Sequence, residues 1–477
     1  MMDHNKRIRK DEFLGTLPPD WPQSLRQAIK EQVNASQTKV VVLDDDPTGT
    51  QTVHGVSILT EWSVENLGSA LQDDAPTFYI LTNSRSLPLS AARSMTVEIA
   101  QNLQEAAARN GSRYVVVSRS DSTLRGHFPG ELEALAEGLS QDIAGWLIVP
   151  FFLEGGRYTI HDVHYVDEQG WLVPAAQTDF ARDKVFGYSA SNLRQWVEEK
   201  THGRVSAKEV HSISIEDLRE AGPNQVTERL MDLHDGRVCI VNAASYRDLE
   251  VFVLGLLRAE ALGCRFLYRT AASFVQVRAG LSPRPLLSRE DLALGGAGGG
   301  LTLVGSHVQR STRQLHELLR LPGIVGIEMD VDAVLDDGRN IAETDRVLDL
   351  AEKDLQKGKD VVVYTSRKLI TGLAEENLSI GSRVSEALTS LVRRLSTKPR
   401  YLVAKGGITA SDIATKGLGV RKALVLGQIM PGVPVWRLGQ ETRFHAVPYV
   451  VFPGNVGGSN ALADAVAKMR KQPTAAG

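Results

Sequence analysis

The stretch KVVVLDDDPTGTQTV, residues 39–53, decides how the chain is read. Val40, Val41, Val42 and Leu43 form a β-branched apolar run, the composition of a buried strand. The run breaks at Asp44, Asp45 and Asp46, and then Pro47, Thr48, Gly49 and Thr50 supply turn chemistry. In an open α/β sheet, ligands bind beyond the carboxyl ends of the strands. Three adjacent carboxylates repel one another, so stability alone does not explain them. A general base acting on a hydroxyl, or a metal ligand, does.

Two further strand ends carry polar loads. TFYILTNSRSLP (77–88) offers Asn83, Ser84, Arg85 and Ser86, and RYVVVSRSDSTLRGHFPGE (113–131) offers Arg119, Asp121, Ser122, Thr123 and Arg125. A guanidinium fork suits a carboxylate, and hydroxyls beside an aspartate suit a polyol. After GWLIVP (145–150), within FFLEGGRYTIHDVHYV (151–166), Glu154, Gly155, Gly156 and Arg157 read as a flexible loop that can close on a substrate. His161 and His164 stand three apart, but without further spaced ligands they define no metal site. The remaining strands of this half are expected at 205–214 and 237–243, and helices at 90–110 and 131–139.

A second run of apolar segments begins near residue 300, at 300–306, 323–330, 360–366, 400–407 and 423–428, with helices at 309–320, 342–356 and 381–396. Strands alternating with helices predict an α/β fold of two domains, each a mainly parallel sheet flanked by helices. The expected division is an extension over 1–37, a first domain over 38–280, a Pro/Gly-rich linker over 281–300, and a second domain over 301–477. In the second domain glycines follow strands twice, as Lys405, Gly406, Gly407, Thr409 and as Gly454, Asn455, Gly457, Gly458, Ser459. Gly-Ser at 305–306 and Pro431-Gly432 add to them. Backbone amides at such turns bind phosphate, and glycine permits close approach. No Walker A or protein-kinase signature is present.

The bulk properties narrow the field. Length (477 residues) implies two to three domains, and 54 basic against 57 acidic residues leave a net charge of −3. No basic block favours nucleic acid or an anionic membrane. Cys239 and Cys264, the two cysteines, lie in apolar contexts and read as small buried residues. With no apolar leader and no long apolar run, the expected address is the cytoplasm. A homodimer is the expected assembly for a soluble enzyme.

In their order, these motifs resemble the four-carbon acid sugar kinase family, long catalogued as a domain of unknown function. The family's Asp-Asp-x-Thr-Gly is matched by Asp45, Asp46, Pro47, Thr48, Gly49, and its Asp-Ser-Thr-Leu-Arg-Gly by Asp121, Ser122, Thr123, Leu124, Arg125, Gly126. Its Pro-x-x-x-x-Gly-Arg loop resembles 150–157. Gly-Gly-x-Thr is matched by Gly406, Gly407, Ile408, Thr409. The family's Lys-Ser-Gly-x-Phe-Gly is replaced by Phe452, Pro453, Gly454, Asn455, Val456, Gly457, so its lysine is absent there. The resemblance spans about 38–465 and marks a divergent subgroup. It implies a sugar-acid domain, a nucleotide domain and an active site in the cleft between them. It implies Asp45 or Asp46 as the base, and Asp45, Arg85, Asp121, Ser122, Thr123, Leu124, Arg125 and Arg157 as substrate-binding residues. Ser306, Gly406, Gly407, Ile408, Thr409, Gly432 and Gly454 would hold ATP, with Mg2+ on its phosphates.

Two other classes compete. Read as Asp44-x-Asp46, the first motif resembles the nucleophile of haloacid-dehalogenase-like phosphatases. The later lysine that class needs is best offered by Lys405 with Asp412, over 350 residues away, and the Asp-Ser-Thr-Leu-Arg-Gly motif is left unexplained. A sugar-acid or nucleotide sensor would keep both pockets but need no base.

Overall fold

A computed structural model describes residues 6–295, 298–305, 309–366, 374–454 and 456–470, with backbone only for 374–379. It divides into two compact units, Met1–Val53 with Glu61–Pro283, and His54–Thr60 with Arg284–Gly477. Each is an α/β layer structure built on a mainly parallel sheet.

In the first unit the strands lie in the order His211–Ile213, Arg237–Val241, Gly145–Val149, Phe266–Thr270, Arg113–Arg119, Thr38–Asp44, Thr77–Leu81, every neighbour parallel. Both faces are covered by helices, which is why the strands are apolar runs rather than alternating ones. Val40, Val41 and Val42 are wholly buried. From Thr38–Asp44 the chain crosses to one side, and from Arg113–Arg119 to the other. The strand order therefore reverses between these two, where an open sheet forms a crevice at its carboxyl end. Register sets Asp44 opposite Arg119 and Leu81. That aligns the three loaded strand ends side by side.

Three expectations are corrected here. Residues 157–174, where no strand was expected, form the antiparallel strands Arg157–Ile160, Val163–Glu168 and Trp171–Pro174. Their turns, His161-Asp162 and Gln169-Gly170, each place two consecutive residues at positive φ. That is the two-residue hairpin geometry whose twist matches paired strands, and neither pair advertises it as Asn-Gly would. Within 205–214 only His211–Ile213 is strand, because Ser206 and Glu209 close a turn on each other. Residues 6–37 of the extension, for which no role was read, are integral. Ile8–Arg9 pairs with Trp171–Leu172, Phe13 is buried edge-on against Tyr165, and Glu250 accepts bonds from Ser24, Leu25 and Arg26.

The second unit carries five parallel strands in the order Ile324–Met329, Asp360–Thr365, Leu301–Val304, Leu402–Lys405, Pro448–Phe452. The sheet continues antiparallel through Val433–Leu438, Lys422–Met430 and Val56–Leu59. The 423–428 segment was expected in the parallel run. It instead forms a hairpin that turns at Pro431-Gly432, where Gly432 has φ +78°. Within the stretch 281–300 expected as a linker, the described residues from Arg284 on belong to the second unit. Leu287 and Leu292 are buried in this unit's core with Val304 and Tyr401. A Cβ at Gly300 would overlap the Tyr401 ring, and one at Gly299 the Lys359 carbonyl. Close packing explains those two glycines.

Candidate active site

At the crevice of the first unit, burial and charge sort the three aspartates into different states. Asp44 is fully buried beneath Gly49, whose missing Cβ would occupy the carboxylate's place. Burial pushes its pKa up to about 8, against the Arg119 guanidinium 3.2 Å away. Asp45 is 4% exposed, and burial raises it to about 6, opposed by Arg85 and Arg119. Neither of its carboxylate oxygens accepts a hydrogen bond from a described residue. Arg119 approaches it at 3.5 Å. Asp46 differs again. Burial works to raise it, but the Arg85 ion pair and two hydrogen bonds from Thr48 hold it below its ordinary value.

The Asp-Ser-Thr-Leu-Arg-Gly loop closes the other side. Burial would raise Asp121, yet Arg125 at 2.7 Å, Arg85 at 3.4 Å and the Thr123 hydroxyl hold it well below the carboxylate range. Arg85 thus bridges Asp46 and Asp121. Ser122 is buried, and its carbonyl accepts a 2.8 Å bond from Nε2 of His164. Nδ1 of that ring takes the Thr159 hydroxyl, and burial drives its pKa down to about 4. His164 is therefore a neutral prop for the loop. Thr123 and Leu124 are buried too, and Leu124 sits at φ +70° while its carbonyl accepts from Arg269. Their side chains set the loop's shape. Arg125 and Arg157 both lie over the Phe180 ring, at 5.2 and 5.5 Å.

The structure thus gathers Asp45, Asp46, Arg85, Asp121, Ser122, Thr123, Leu124, Arg125 and Arg157 at one sheet end. It adds residues the sequence reading did not pick out. Arg269 leaves the end of Phe266–Thr270 to bind the carbonyls of Leu124 and Arg125, beside Gly126 and the Asp45 carboxylate. Glu131 binds Ser84, and Phe180 carries the two arginines. Only the strand-end rule could have flagged Arg269, since FLYRT has no loop motif. Among the described residues, no group of three or more His, Cys, Asp or Glu is placed to hold a metal.

The second unit's glycine turns meet at its own strand ends. Gly406, at φ +113°, follows Lys405, gives its amide to Phe452, and precedes the short helix Gly407–Asp412. Thr409 lies against Gly305, and Ile408 is 58% exposed. Gly432 packs beside Val456, its amide donating to the Gln428 side chain at 2.6 Å. Lys405 is buried, and its ammonium donates to the carbonyls of Pro453 at 2.6 Å and Gly454 at 3.2 Å. Ser306 lies outside the described residues. Among the described residues, no helix is long and apolar enough to cross a membrane.

Comparison with known proteins agrees with this division of chemistry. Residues 40–278, half of the chain, match the family model described as a sugar-binding N-terminal domain, and residues 301–462 match a nucleotide-binding C-terminal domain. The chain is 24% identical over 406 residues to the D-erythronate kinase of Heliobacterium modesticaldum, covering 81% of this chain and 85% of the relative. It is 28% identical over 352 residues to the D-threonate kinase of Cupriavidus necator (70% and 76% covered). It is 24% identical over 377 residues to the 3-oxo-tetronate kinase of Pseudomonas fluorescens (76% and 80%). The fold is shared with a Haemophilus influenzae protein of the DUF1537 family, at a TM-score of 0.60 and 17% identity over 90% of this chain and all of that one. The chain is a phosphotransferase acting on a hydroxyl, and it belongs to the four-carbon acid sugar kinase family.

Proposed function

We propose that this enzyme transfers the γ-phosphate of ATP to a hydroxyl of a short sugar acid of the tetronate or 3-oxo-tetronate type. Residues 38–280 would bind the acid and 301–477 the nucleotide. One observation carries the reading: Asp45 is a buried carboxylate at the sheet's crevice, beside Arg119 at 3.5 Å, whose oxygens accept no hydrogen bond from a described residue.

In the proposed mechanism Asp45 takes the proton of the attacking hydroxyl. At about 6, its pKa leaves it ionised near neutrality and still basic enough to accept. Asp46, neutralised by Arg85 and Thr48, positions Arg85 instead. Arg85, Arg125 and Arg157 receive the acid's carboxylate, with Arg125 and Arg157 steadied by Phe180. Asp121 and Ser122 face the hydroxyls, and Thr123 and Leu124 hold that loop in place. Gly406, Gly407, Ile408, Thr409, Gly432 and Gly454, with Ser306, line the nucleotide's phosphates. Magnesium is implied by the chemistry, but the described residues form no cage for it, so it would be carried on the nucleotide. A cytoplasmic homodimer completes the reading on general grounds.

Asp44 argues against the phosphatase reading. A nucleophile must be ionised and reachable, whereas Asp44 is sealed under Gly49 and pushed up to about 8. The test is ADP release with Mg-ATP against tetronates, 3-oxo-tetronates, and C5 and C6 aldonates. Release dependent on one acid is the expected result. No release with any acid, alongside intact acid binding, would sink the proposal.

A further inference from the structure

Lys405 closes the strand Leu402–Lys405 and is wholly buried. A buried ammonium ordinarily has a carboxylate beside it. This one has backbone carbonyls, Pro453 and Gly454, and the face of Phe452 at 4.7 Å. Burial lowers its pKa to about 7, and the one charged group adding to the shift is another cation, Arg310 on the helix Gln309–Leu319. That helix also supplies Gln314, buried, whose side-chain amide donates to the carbonyls of Val456 at 3.0 Å and Gly458 at 2.9 Å. Two side chains from two elements therefore bind the carbonyls of 453–454 and 456–458. Among the described residues, the amides of Gly454, Val456, Gly457 and Gly458 have no acceptor. Backbone amides without an acceptor, beside carbonyls already bonded, are the material of an anion-binding turn. A Cβ at Gly454 would meet nothing within 4 Å, so the turn has open space beside it.

We propose that Lys405 and Gln314 are positioning residues that shape 453–454 and 456–458 into the loop receiving the nucleotide's phosphates, with Lys405 supplying the positive charge there. Lysine is absent from the turn itself, so the charge arrives from the neighbouring strand. The inference rests on the second unit binding a nucleotide. It adds a consequence that general binding does not have. A phosphate beside Lys405 supplies a counter-charge that no described residue provides, so binding must draw a proton onto the amine wherever the free amine is neutral. At pH 8 the free amine is mostly neutral and uptake approaches one proton. At pH 6 it is already charged and uptake vanishes.

The experiment is calorimetric titration of the intact enzyme with MgADP in buffers of different ionisation heat, at pH 6 and pH 8. Wild type is expected to take up most of a proton at pH 8 and almost none at pH 6. Lys405→Met is expected to lose the uptake and bind roughly 10- to 100-fold more weakly, as charge-assisted bonds imply. Gln314→Leu, which leaves the charge, is expected to weaken binding while retaining the uptake. Sugar-acid affinity measured on both variants reports folding of the first unit and should not change. Wild-type binding without proton uptake overturns the proposal with no variant needed, and leaves the kinase reading standing. Absence of MgADP and MgATP binding in the wild type overturns both.

Discussion

The two units build their sites from opposite materials. At the sheet end of the first, Asp44, Asp45, Asp46, Asp121, Arg85, Arg119 and Arg125 are tied into ion pairs between 2.7 and 3.5 Å, apart from the closer Arg85–Asp46 contact. At that of the second, glycine turns present backbone amides, and one buried lysine answers to carbonyls. A small chiral acid must be gripped by directed side chains, since its carboxylate and hydroxyls differ between close analogues. A polyphosphate is highly charged and repetitive, so fixed amides serve. The difference also decides what a mutation does. In the charged site, losing one member strands another in a low-dielectric interior; in the glycine site, it leaves the fold intact and spoils only the approach.

The largest effect is expected at Asp45, neither of whose oxygens accepts a hydrogen bond from a described residue. Asp45→Asn should lower kcat by roughly 10²- to 10⁴-fold, the range of a general base, with nucleotide affinity unchanged. Equal loss in nucleotide affinity would erase the separation of the two sites. Next comes Arg119→Met. Arg119 is 4% exposed between Asp44 and Asp45, so its removal should destabilise by about 3–5 kcal/mol, read by denaturant unfolding. Its counterpart, Gly454→Ala, should change stability by less than about 0.5 kcal/mol, because nothing crowds that position. It should nonetheless raise the nucleotide KM by about tenfold, the scale of one phosphate-amide bond to a charged group. A stability loss in place of the KM effect would mean that this turn, like Gly300, exists for packing.

The smallest effect separates the sites by pH. Asp45 must be ionised to accept a proton, and burial has raised it to about 6. With acid subsaturating and nucleotide saturating, kcat/KM should rise with pH up to about 6 and then level, tenfold per unit below the midpoint. In Asp45→Asn the residual rate should lose that limb. A limb that persists would move the base to another group.

Much of this was legible in residues 39–53, 77–88 and 113–131. Apolar runs ending in Asp, Asn, Ser and Arg marked three strand ends of a parallel sheet, and their adjacency followed from the fold class. What the sequence could not assign was the state of each aspartate. Asp44, Asp45 and Asp46 are identical in composition, and only the overlying Gly49, the Arg119 register and the Thr48 turn distinguish them. The hairpins over 157–174 were missed because their turns use His-Asp and Gln-Gly, pairs with weak turn signals. Residues 281–300 looked like a linker because glycine is equally the residue of free chain and of tightest packing; Gly299 and Gly300 are the latter. Arg269 and Gln314 stand in a strand and a helix of ordinary composition, and only tertiary placement gives them partners.

The central claim is most directly tested by following the phosphate. The enzyme is incubated with Mg-ATP carrying a labelled γ-phosphate and the acid that supports ADP release, and the products are resolved by mass spectrometry. The account predicts one labelled phosphomonoester of the sugar acid per ADP, formed by wild type and almost absent with Asp45→Asn. Label appearing only as inorganic phosphate, or unlabelled phosphate released from a phosphorylated sugar acid without nucleotide, would contradict it.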